Sequence, residues 1–252
     1  MSGHNKWAKI KRKKAVTDQS RGRFFGQVIK EITVAAKMGG GNPEGNSRLR
    51  IAIEKARTGN MPADNIKRAI MKGTGELPGT SYEDASYEAY GPGGVAIIID
   101  TVTDNKNRTV SEIRHVLERN HGKLATTGSV AFQFHKKGII AIPRSAVAED
   151  DLLGLALDAG ADDVKSDENE HTVITPPEAF EPVRKALDDR KVHMDSAEIV
   201  LMADNTVRVE GKDAENLLKL MELLEEHDDV QKVHSNFEID DKELAQLSAS
   251  PS

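Results

Sequence analysis

Residues 18–37 read DQSRGRFFGQVIKEITVAAK, and this stretch decides how the N-terminal part of the chain folds. Its apolar residues recur at the spacing of an α-helix, which places them on one face. These residues are Phe24, Phe25, Val28, Ile29, Ile32 and Ala36. The pattern predicts a helix from about Asp18 to Lys37 whose apolar face is buried in a core.

The polar side of this predicted helix carries a row of cations. Arg23, Lys30 and Lys37 recur every seven residues, which is about two helical turns. We expect the row to face water and to meet the phosphates of a nucleic acid. Such a contact does not depend on base sequence.

Charge divides the chain near residue 72. Residues 1–72 hold 17 Lys and Arg against 5 Asp and Glu, whereas the whole chain has a formal net charge of −6. The remaining residues are therefore strongly acidic. A segment this basic indicates a polyanionic partner, with nucleic acid as the first candidate. The alternative is a solvated basic surface that docks on the acidic remainder.

The most basic part is the N-terminal tail, where residues 5–14 read NKWAKIKRKK. We expect an anionic partner to order it. Trp7 is predicted either to stack on an unpaired base or to pack the tail onto the helices. The candidate nucleic-acid contacts in the tail are Lys6, Trp7, Lys9, Lys11, Arg12, Lys13 and Lys14.

Two more helices are predicted before residue 73. Asn42-Pro43 starts the second, which reaches about Thr58, and Pro62 starts the third. These helices and the GNMP turn between them match either a helix-turn-helix or a plain antiparallel hairpin. The remaining candidate contacts in the helical region are Arg21, Arg48, Arg50, Lys55, Arg57, Lys67 and Arg68.

After the Gly- and Pro-rich residues 73–81, the hydrophobic period changes to two. This pattern predicts a β-hairpin at residues 82–103 around a GPGG turn, a helix at 108–120 and a strand at 129–135. Residues 139–202 follow the βαββαβ order of a ferredoxin-like domain. A helix at 213–226 and a strand at 230–237 then complete the domain that began at the hairpin.

The predicted fold class is therefore α+β, with an N-terminal helical domain followed by two α/β (ferredoxin-like) domains, the last inserted into the middle one. The predicted domains are 1–75, 82–135 with 206–238, and 136–205. Residues 239–252 are acidic and then Ser-rich, so we expect a frayed tail there.

The loop at residues 103–109, TDNKNRT, joins a predicted buried strand to a helix N-terminus. Unpaired amides and the helix dipole favour an anion at such a position. Asn105, Lys106, Asn107 and Arg108 are candidates to hold a phosphate or an RNA loop. The alternative is ordinary helix capping by Asn107.

No motif in the chain indicates catalysis, a cofactor or a metal. The eight histidines lack metal-ligand spacing, cysteine is absent, and no nucleotide-binding or nucleophile motif occurs. We expect a protein that is not an enzyme, with no cofactor and no small-molecule substrate. The absence of cysteine and of an apolar N-terminal segment favours the cytoplasm, without membrane contact.

Several segments together resemble the YebC/PmpR family, most densely from Gly3 to Phe134. They are GHNKWAKIKRKKAVTD, FFGQVIKEITVAAKMGGGNPEGNSRLRIAIEKARTGNMPADNIKRAI, KGTGEL, YEAYGPGGVAIIID, TDNKNRT and GSVAFQF. The resemblance implies three domains, the last inserted in the middle one, and a cytoplasmic, non-enzymatic regulator of gene expression. Members of the family are described as DNA-binding transcriptional regulators and as ribosome-associated factors that help translation through difficult stretches such as proline runs.

We therefore expect a nucleic-acid-binding regulator whose partner is ribosomal RNA or DNA. Sequence-specific reading of duplex DNA needs a helix with paired Arg, Asn or Gln side chains in the groove, and none stands out. Structured RNA is recognised largely through shape and backbone, which favours the ribosome. A DNA-binding transcriptional regulator is the alternative. A further one is a protein-interaction scaffold whose acidic part binds a basic partner.

Overall fold

The computed structural model describes residues 18–249, apart from the side chains of residues 18–20, 241, 245, 248 and 249. The chain divides into two compact units. One is Phe132–Thr206, and the other combines the described residues on either side of it. Among the helices in the described residues, none is long and apolar enough to cross a membrane.

Three helices form the N-terminal region: α1 (Asp18–Gly39), α2 (Ser47–Thr58) and α3 (Ala63–Thr74). The apolar face predicted for the first helix is confirmed. Val28 and Ile32 are buried against residues of α2 and α3, and Phe24, Phe25 and Ile29 pack on the same core.

The ends of α2 and α3 differ from the predicted ones. Asn46, not Asn42, caps α2, since its Oδ1 accepts the Leu49 amide at 3.0 Å while its Nδ2 donates to the Ala35 carbonyl at 2.7 Å. Helix α3 continues past Gly73 to Thr74, and its C-cap is Gly75, which has a φ of 83°. Gly73 lies so close to α1 that an added methyl group would collide with the Thr33 carbonyl oxygen.

The predicted hairpin is present. Strands β1 (Glu83–Tyr90) and β2 (Ala96–Thr103) pair antiparallel around a 3-10 turn at Pro92–Gly94. Helix α4 (Lys106–Arg119) follows, and the short strand β3 (Lys123–Leu124) pairs with β1.

The strand predicted at residues 129–135 is wrong for residues 129–133, whereas residues 134–135 begin the next strand. The buried Glu88 carboxylate accepts the amides of Gly128, Val130 and Ala131, so these amides are not available to a sheet. A 3-10 turn follows at Ala131–Gln133, and Phe132 is 74% exposed. Burial raises the pKa of Glu88, but these hydrogen bonds outweigh it and lower the pKa overall.

The inserted unit has the predicted ferredoxin-like order. Its elements are β4 (Phe134–Pro143), α5 (Glu149–Asp158), β5 (Asp163–Ser166), β6 (Glu170–Thr175), α6 (Phe180–Asp189) and β7 (Ser196–Ala203). The sheet order is β5-β6-β4-β7, and every neighbouring pair is antiparallel. This arrangement of helices and antiparallel sheets confirms the α+β class.

The chain then returns to the first unit. The returning elements are β8 (Val207–Arg208), α7 (Gly211–Glu225), β9 (Val230–Ser235), β10 (Phe237–Glu238) and α8 (Asp241–Ala249). Strand β9 pairs antiparallel with β2, which gives the sheet order β3-β1-β2-β9. Buried side chains of α4 and α7 form one core with those of β2 and β9. The three-domain boundaries stay a prediction.

The frayed tail predicted from residue 239 is wrong as far as residue 249. Ile239 is 2% exposed and Leu244 is 1% exposed, and both belong to the core under α7. Leu247 packs on the same core, and the Glu243 carboxylate accepts the Gly211 amide at 2.6 Å. Two leucines three residues apart give this acidic segment a buried helical face.

Replacing Leu244 by Ala is expected to lower the free energy of unfolding by about 2–4 kcal/mol, because the substitution leaves a cavity in the core. Urea unfolding followed by circular dichroism measures this change. Leu223→Ala on α7 is the matched control, since Leu223 is 37% exposed and should cost less than about 1 kcal/mol. Equal stability of the two variants would contradict the packing of α8.

Candidate nucleic-acid interface

The polar face of α1 is directed at the segment between α7 and β9. An Nη of Arg23 lies 3.0 Å from a carboxylate oxygen of Glu226, and Nε2 of Gln27 donates to the Val230 carbonyl at 2.9 Å. The Lys30 ammonium lies 2.6 Å from Oδ1 of Asp229. These three α1 residues are spaced by four and three positions, which places them on one helical face.

Asp229 is the centre of this contact. Its side chain is 2% exposed, and its second oxygen, Oδ2, lies 2.7 Å from both an Nη of Arg108 and the Thr109 hydroxyl. The Thr103 hydroxyl donates to the same oxygen at 3.2 Å. Burial raises the pKa of the carboxyl group, but the hydrogen bonds from Lys30, Thr109 and Arg108 outweigh it and hold the pKa well below its usual range.

The water-facing row predicted on α1 is therefore wrong for Arg23 and Lys30. Their side chains are 21% and 16% exposed and are bound to carboxylates. Lys37 is exposed, but its ammonium donates to the Ser81 hydroxyl at 2.7 Å. The periodicity predicted that the row lies opposite the apolar face of α1. In the structure, the segment that contains Glu226 and Asp229 covers that side of the helix.

Arg48 is also engaged within the molecule. Its guanidinium contacts Glu31 at 2.7 Å and Asp84 at 2.8 Å, and it makes two hydrogen bonds to each carboxylate. The hydrogen bonds to Asp84 and then to Glu31 raise the pKa of the guanidinium, which therefore stays charged. This arginine links α1 and α2 to β1.

The TDNKNRT loop caps a helix and forms ion pairs. Asn105, rather than Asn107, is the N-cap, and its Oδ1 accepts the Arg108 amide at 3.1 Å. The Lys106 ammonium lies 2.8 Å from Glu83, and Arg108 binds Asp229. Asn107 is exposed. The two cations predicted to hold a phosphate here are therefore paired with carboxylates of the same unit.

The unpaired cations in the described part of the helical region lie on α2 and α3. Within residues 18–249, five exposed cations on these helices make no hydrogen bond or ion pair. They are Arg50, Arg57, Lys67, Arg68 and Lys72. We call their surface the α2–α3 outer face. Arg50 is followed by Ile51, which is 64% exposed, so the surface also offers an apolar side chain.

The other candidates in the helical region are only partly available. Arg21 and Lys55 are exposed but have interaction partners, and the Lys55 ammonium lies 5.9 Å from the centre of the Phe24 ring. The tail candidates fall outside the described residues. They are Lys6, Trp7, Lys9, Lys11, Arg12, Lys13 and Lys14.

One group of possible metal ligands is present in the described residues, and we assign no metal to it. Ligand atoms of Glu112, His227 and Asp229 lie within 4.8 Å of one another. Both ring nitrogens of His227 already have partners, Glu112 at 3.0 Å and the Asp229 amide at 3.1 Å. Lys30 and Arg108 neutralise Asp229, so a further cation would meet repulsion.

Comparisons with known proteins cover almost the whole chain. A family model described as "TACO1/YebC protein N-terminal domain" matches residues 5–76, and one described as "TACO1/YebC second and third domain" matches residues 82–237. A protein of Chlorobaculum parvum named "Probable transcriptional regulatory protein" is 53% identical over 98% of this chain and 99% of its own. One of Natranaerobius thermophilus with the same name is 54% identical over 96% and 98%.

A solved structure is also similar. The crystal structure of a conserved hypothetical protein, Aq1575, from Aquifex aeolicus has a TM-score of 0.78 and 45% sequence identity. The similarity covers 91% of this chain and 95% of that one.

Replacing Lys30 by Met is expected to lower the free energy of unfolding by about 1–3 kcal/mol, because a buried carboxylate loses one of its charged partners. Lys72→Met is the matched control, since Lys72 is exposed and unpaired and should change stability by less than about 0.5 kcal/mol. Chemical denaturation at neutral pH measures both changes. Equal stability of the two variants would contradict the buried ion pair.

Asp229 should also make stability depend on pH. Its pKa is lower in the folded protein than in the unfolded chain, so its contribution is present above about pH 4. That contribution is lost as the pH falls towards the folded value. Asp229→Asn should therefore be clearly less stable than the wild type at pH 7, and the gap should narrow in acid. Asp228→Asn is the control, since Asp228 is exposed; a gap that does not change with pH would argue against this role.

Proposed function

This chain belongs to the TACO1/YebC family, and on that premise we propose that it is a non-enzymatic, nucleic-acid-binding regulator of gene expression that acts through ribosomal RNA. In this proposal the protein works in the cytoplasm and supports the translation of difficult stretches such as runs of proline. The α2–α3 outer face is its main contact with RNA phosphates, together with the basic N-terminal tail.

The observation that carries the proposal is the unpaired state of the cations on the α2–α3 outer face. In the same helical region, Arg23, Lys30 and Arg48 pair with carboxylates. The cations of the α2–α3 outer face form no ion pair in the described residues, although the rest of the chain has an excess of acidic side chains. Free cations on one face can replace the counterions of a phosphate backbone, which drives binding to nucleic acid.

The composition of this surface suits RNA better than a specific duplex sequence. Helix α2 contains no Asn or Gln, the residues that read adenine in a major groove, and Asn65 of α3 is half-buried. Lys and Arg contacts to phosphates position a nucleic acid without selecting its sequence. Folded RNA presents phosphates from several directions, so a surface on two helices and a tail can engage it together.

A DNA-binding transcriptional regulator is the second candidate function. The observation that favours it is the name of the relatives from Chlorobaculum parvum and Natranaerobius thermophilus, "Probable transcriptional regulatory protein". The same cations would then bind DNA phosphates, with a steeper dependence on salt for each contact than single-stranded RNA shows.

Reversing the charge of Arg50, Arg57 and Arg68 together should weaken RNA binding and leave thermal stability unchanged. These side chains are exposed and unpaired, so folding does not depend on them. The log–log slope of affinity against salt should fall by about 0.7 for each lost phosphate contact to single-stranded RNA. Filter binding over a series of salt concentrations measures affinity and slope.

The matched control reverses three exposed cations of the inserted unit, Lys136, Lys185 and Arg190, and so changes the net charge equally. If both triple variants lose the same affinity, only the overall charge matters and the α2–α3 outer face has no special role. If neither loses affinity, the proposed contact is wrong.

Crosslinking in cells, with the attached DNA and RNA sequenced side by side, tests the partner. We expect ribosomal RNA to dominate, and to be lost in the Arg50, Arg57 and Arg68 variant. Enrichment of discrete promoter DNA without ribosomal RNA would favour the transcriptional alternative. Recovery of neither, with protein partners that survive nuclease treatment, would support an interaction scaffold instead.

A further inference from the structure

A recess of about 730 Å³ opens where the turn between β1 and β2 meets the start of α7. Its volume is within the range of roughly 300–1,000 Å³ that is typical of small-ligand sites. The connection between α4 and β3 forms a third wall. The lining residues are Tyr90, Gly91, Pro92, Gly93, Gly94, His121, Gly122, Lys123, Lys212, Asp213 and Asn216.

Backbone forms much of this recess. A methyl group added to Gly91 would lie 2.9 Å from Cδ1 of Ile97, and one added to Gly122 would lie 3.0 Å from the Tyr90 carbonyl oxygen. Gly94 has a φ of 78° and open space beside it. Gly91 and Gly122 therefore let the β1–β2 turn and the α4–β3 connection pack closely on their neighbours.

His121 lies at the edge of the recess, just after α4 ends. Its φ of 62° is the left-handed conformation that commonly follows a helix C-terminus, and Asn60 after α2 and Lys191 after α6 have the same conformation. The imidazole of His121 is exposed, so it is accessible to a ligand.

The cations of the recess are unpaired. Within the described residues, His121, Lys123 and Lys212 make no ion pair, and the Lys123 ammonium lies 5.6 Å from the centre of the Tyr90 ring. The surrounding residues 82–131 and 207–238 hold 16 Asp and Glu against 9 Lys and Arg. Asp213 is the one carboxylate among the described lining residues, and it forms no ion pair with any of these three side chains.

We propose that this recess binds the phosphate group of a nucleotide, with Lys123, Lys212 and His121 around the phosphate. Asn216 and the Tyr90 ring face the remainder of the ligand. Lys donates hydrogen bonds as a point charge and suits a tetrahedral, doubly charged anion approached from several sides. No arginine lines the recess to form the planar, two-bonded pair that a carboxylate prefers.

A free nucleotide and the terminal nucleotide of an RNA strand share this chemistry. The site is built from β1, β3 and α7 with their connections, whereas the proposed RNA contact lies on α2 and α3. The two proposals can therefore fail separately.

The test is a titration of the isotope-labelled full-length protein, followed by the chemical shifts of the backbone amides. The probes are inorganic phosphate, adenosine monophosphate, adenosine, and a short oligoribonucleotide with or without a 5′ phosphate. We expect saturable shifts at Gly93, Gly94 and Gly122 with the phosphorylated probes and none with adenosine. Lys123→Glu with Lys212→Glu should weaken this binding at least about tenfold.

The matched control is Arg114→Glu with Lys219→Glu, which changes the net charge equally at exposed positions outside the recess. It should bind within about twofold of the wild type. A variant with Met at both recess lysines removes the charge without reversing it and keeps the test valid if the Glu variant does not fold.

The outcomes separate the two sources of phosphate. Adenosine monophosphate binding as tightly as the phosphorylated oligonucleotide identifies a free nucleotide, whereas much tighter binding of the phosphorylated oligonucleotide identifies an RNA end. The proposal is overturned if no phosphorylated probe shifts the recess amides. It is also overturned if the Glu or Met variant binds as the wild type does.

Discussion

The buried carboxylate of Asp229 is the constraint on which the rest of its compact unit depends, that is, the described residues on either side of Phe132–Thr206. A charge that is 2% exposed is tolerated only when its partners replace the water it has lost. Those partners come from distant parts of the chain, because Lys30 belongs to α1, Thr103 ends β2, and Arg108 and Thr109 lie in the first turn of α4. The same contact therefore orients the helical region on the α/β sheet and positions the start of α4.

This contact changes how the charge difference between residues 1–72 and the rest of the chain is interpreted. Part of the basic N-terminal segment is neutralised within the molecule, where Arg23 and Lys30 face the acidic segment after α7 and Arg48 faces Glu31 and Asp84. Cations that pair in this way stabilise the fold. Because a carboxylate already compensates their charge, they attract a phosphate only weakly. The cations of the α2–α3 outer face, by contrast, form no ion pair among the described residues. Pairing within the molecule and the proposed binding of a partner therefore belong to different faces of the same basic segment.

The recess beside the GPGG turn also contains cations without ion-pair partners in the described part of the chain, although the surrounding residues are mainly acidic. Asp213 lines the recess together with Lys123 and Lys212, yet neither lysine forms an ion pair among the described residues. Pairing is settled by tertiary geometry and not by composition. Cations that the fold leaves without a partner are therefore the best guide to where an anion from outside can bind.

The sequence by itself determined the elements whose patterns are local. The 3.6-residue spacing of Val28 and Ile32, the alternation around the GPGG turn, and the βαββαβ order of residues 139–202 each predicted the observed type of structure. Such patterns can be recognised because periodic burial depends on residues that are close in sequence. The tertiary structure decided whatever depends on a distant partner. Helical periodicity separates the core side of α1 from its other side, but only packing shows that Glu226 and Asp229 cover that other side. Likewise, the amides of Gly128 and Val130 donate to the Glu88 carboxylate, more than thirty residues away in the chain, and so are not available for sheet pairing. The acidic C-terminal segment forms a helix because its leucines pack on the core under α7. Charges and hydrogen bonds act between any groups that the fold brings together, so their partners cannot be found from spacing along the chain.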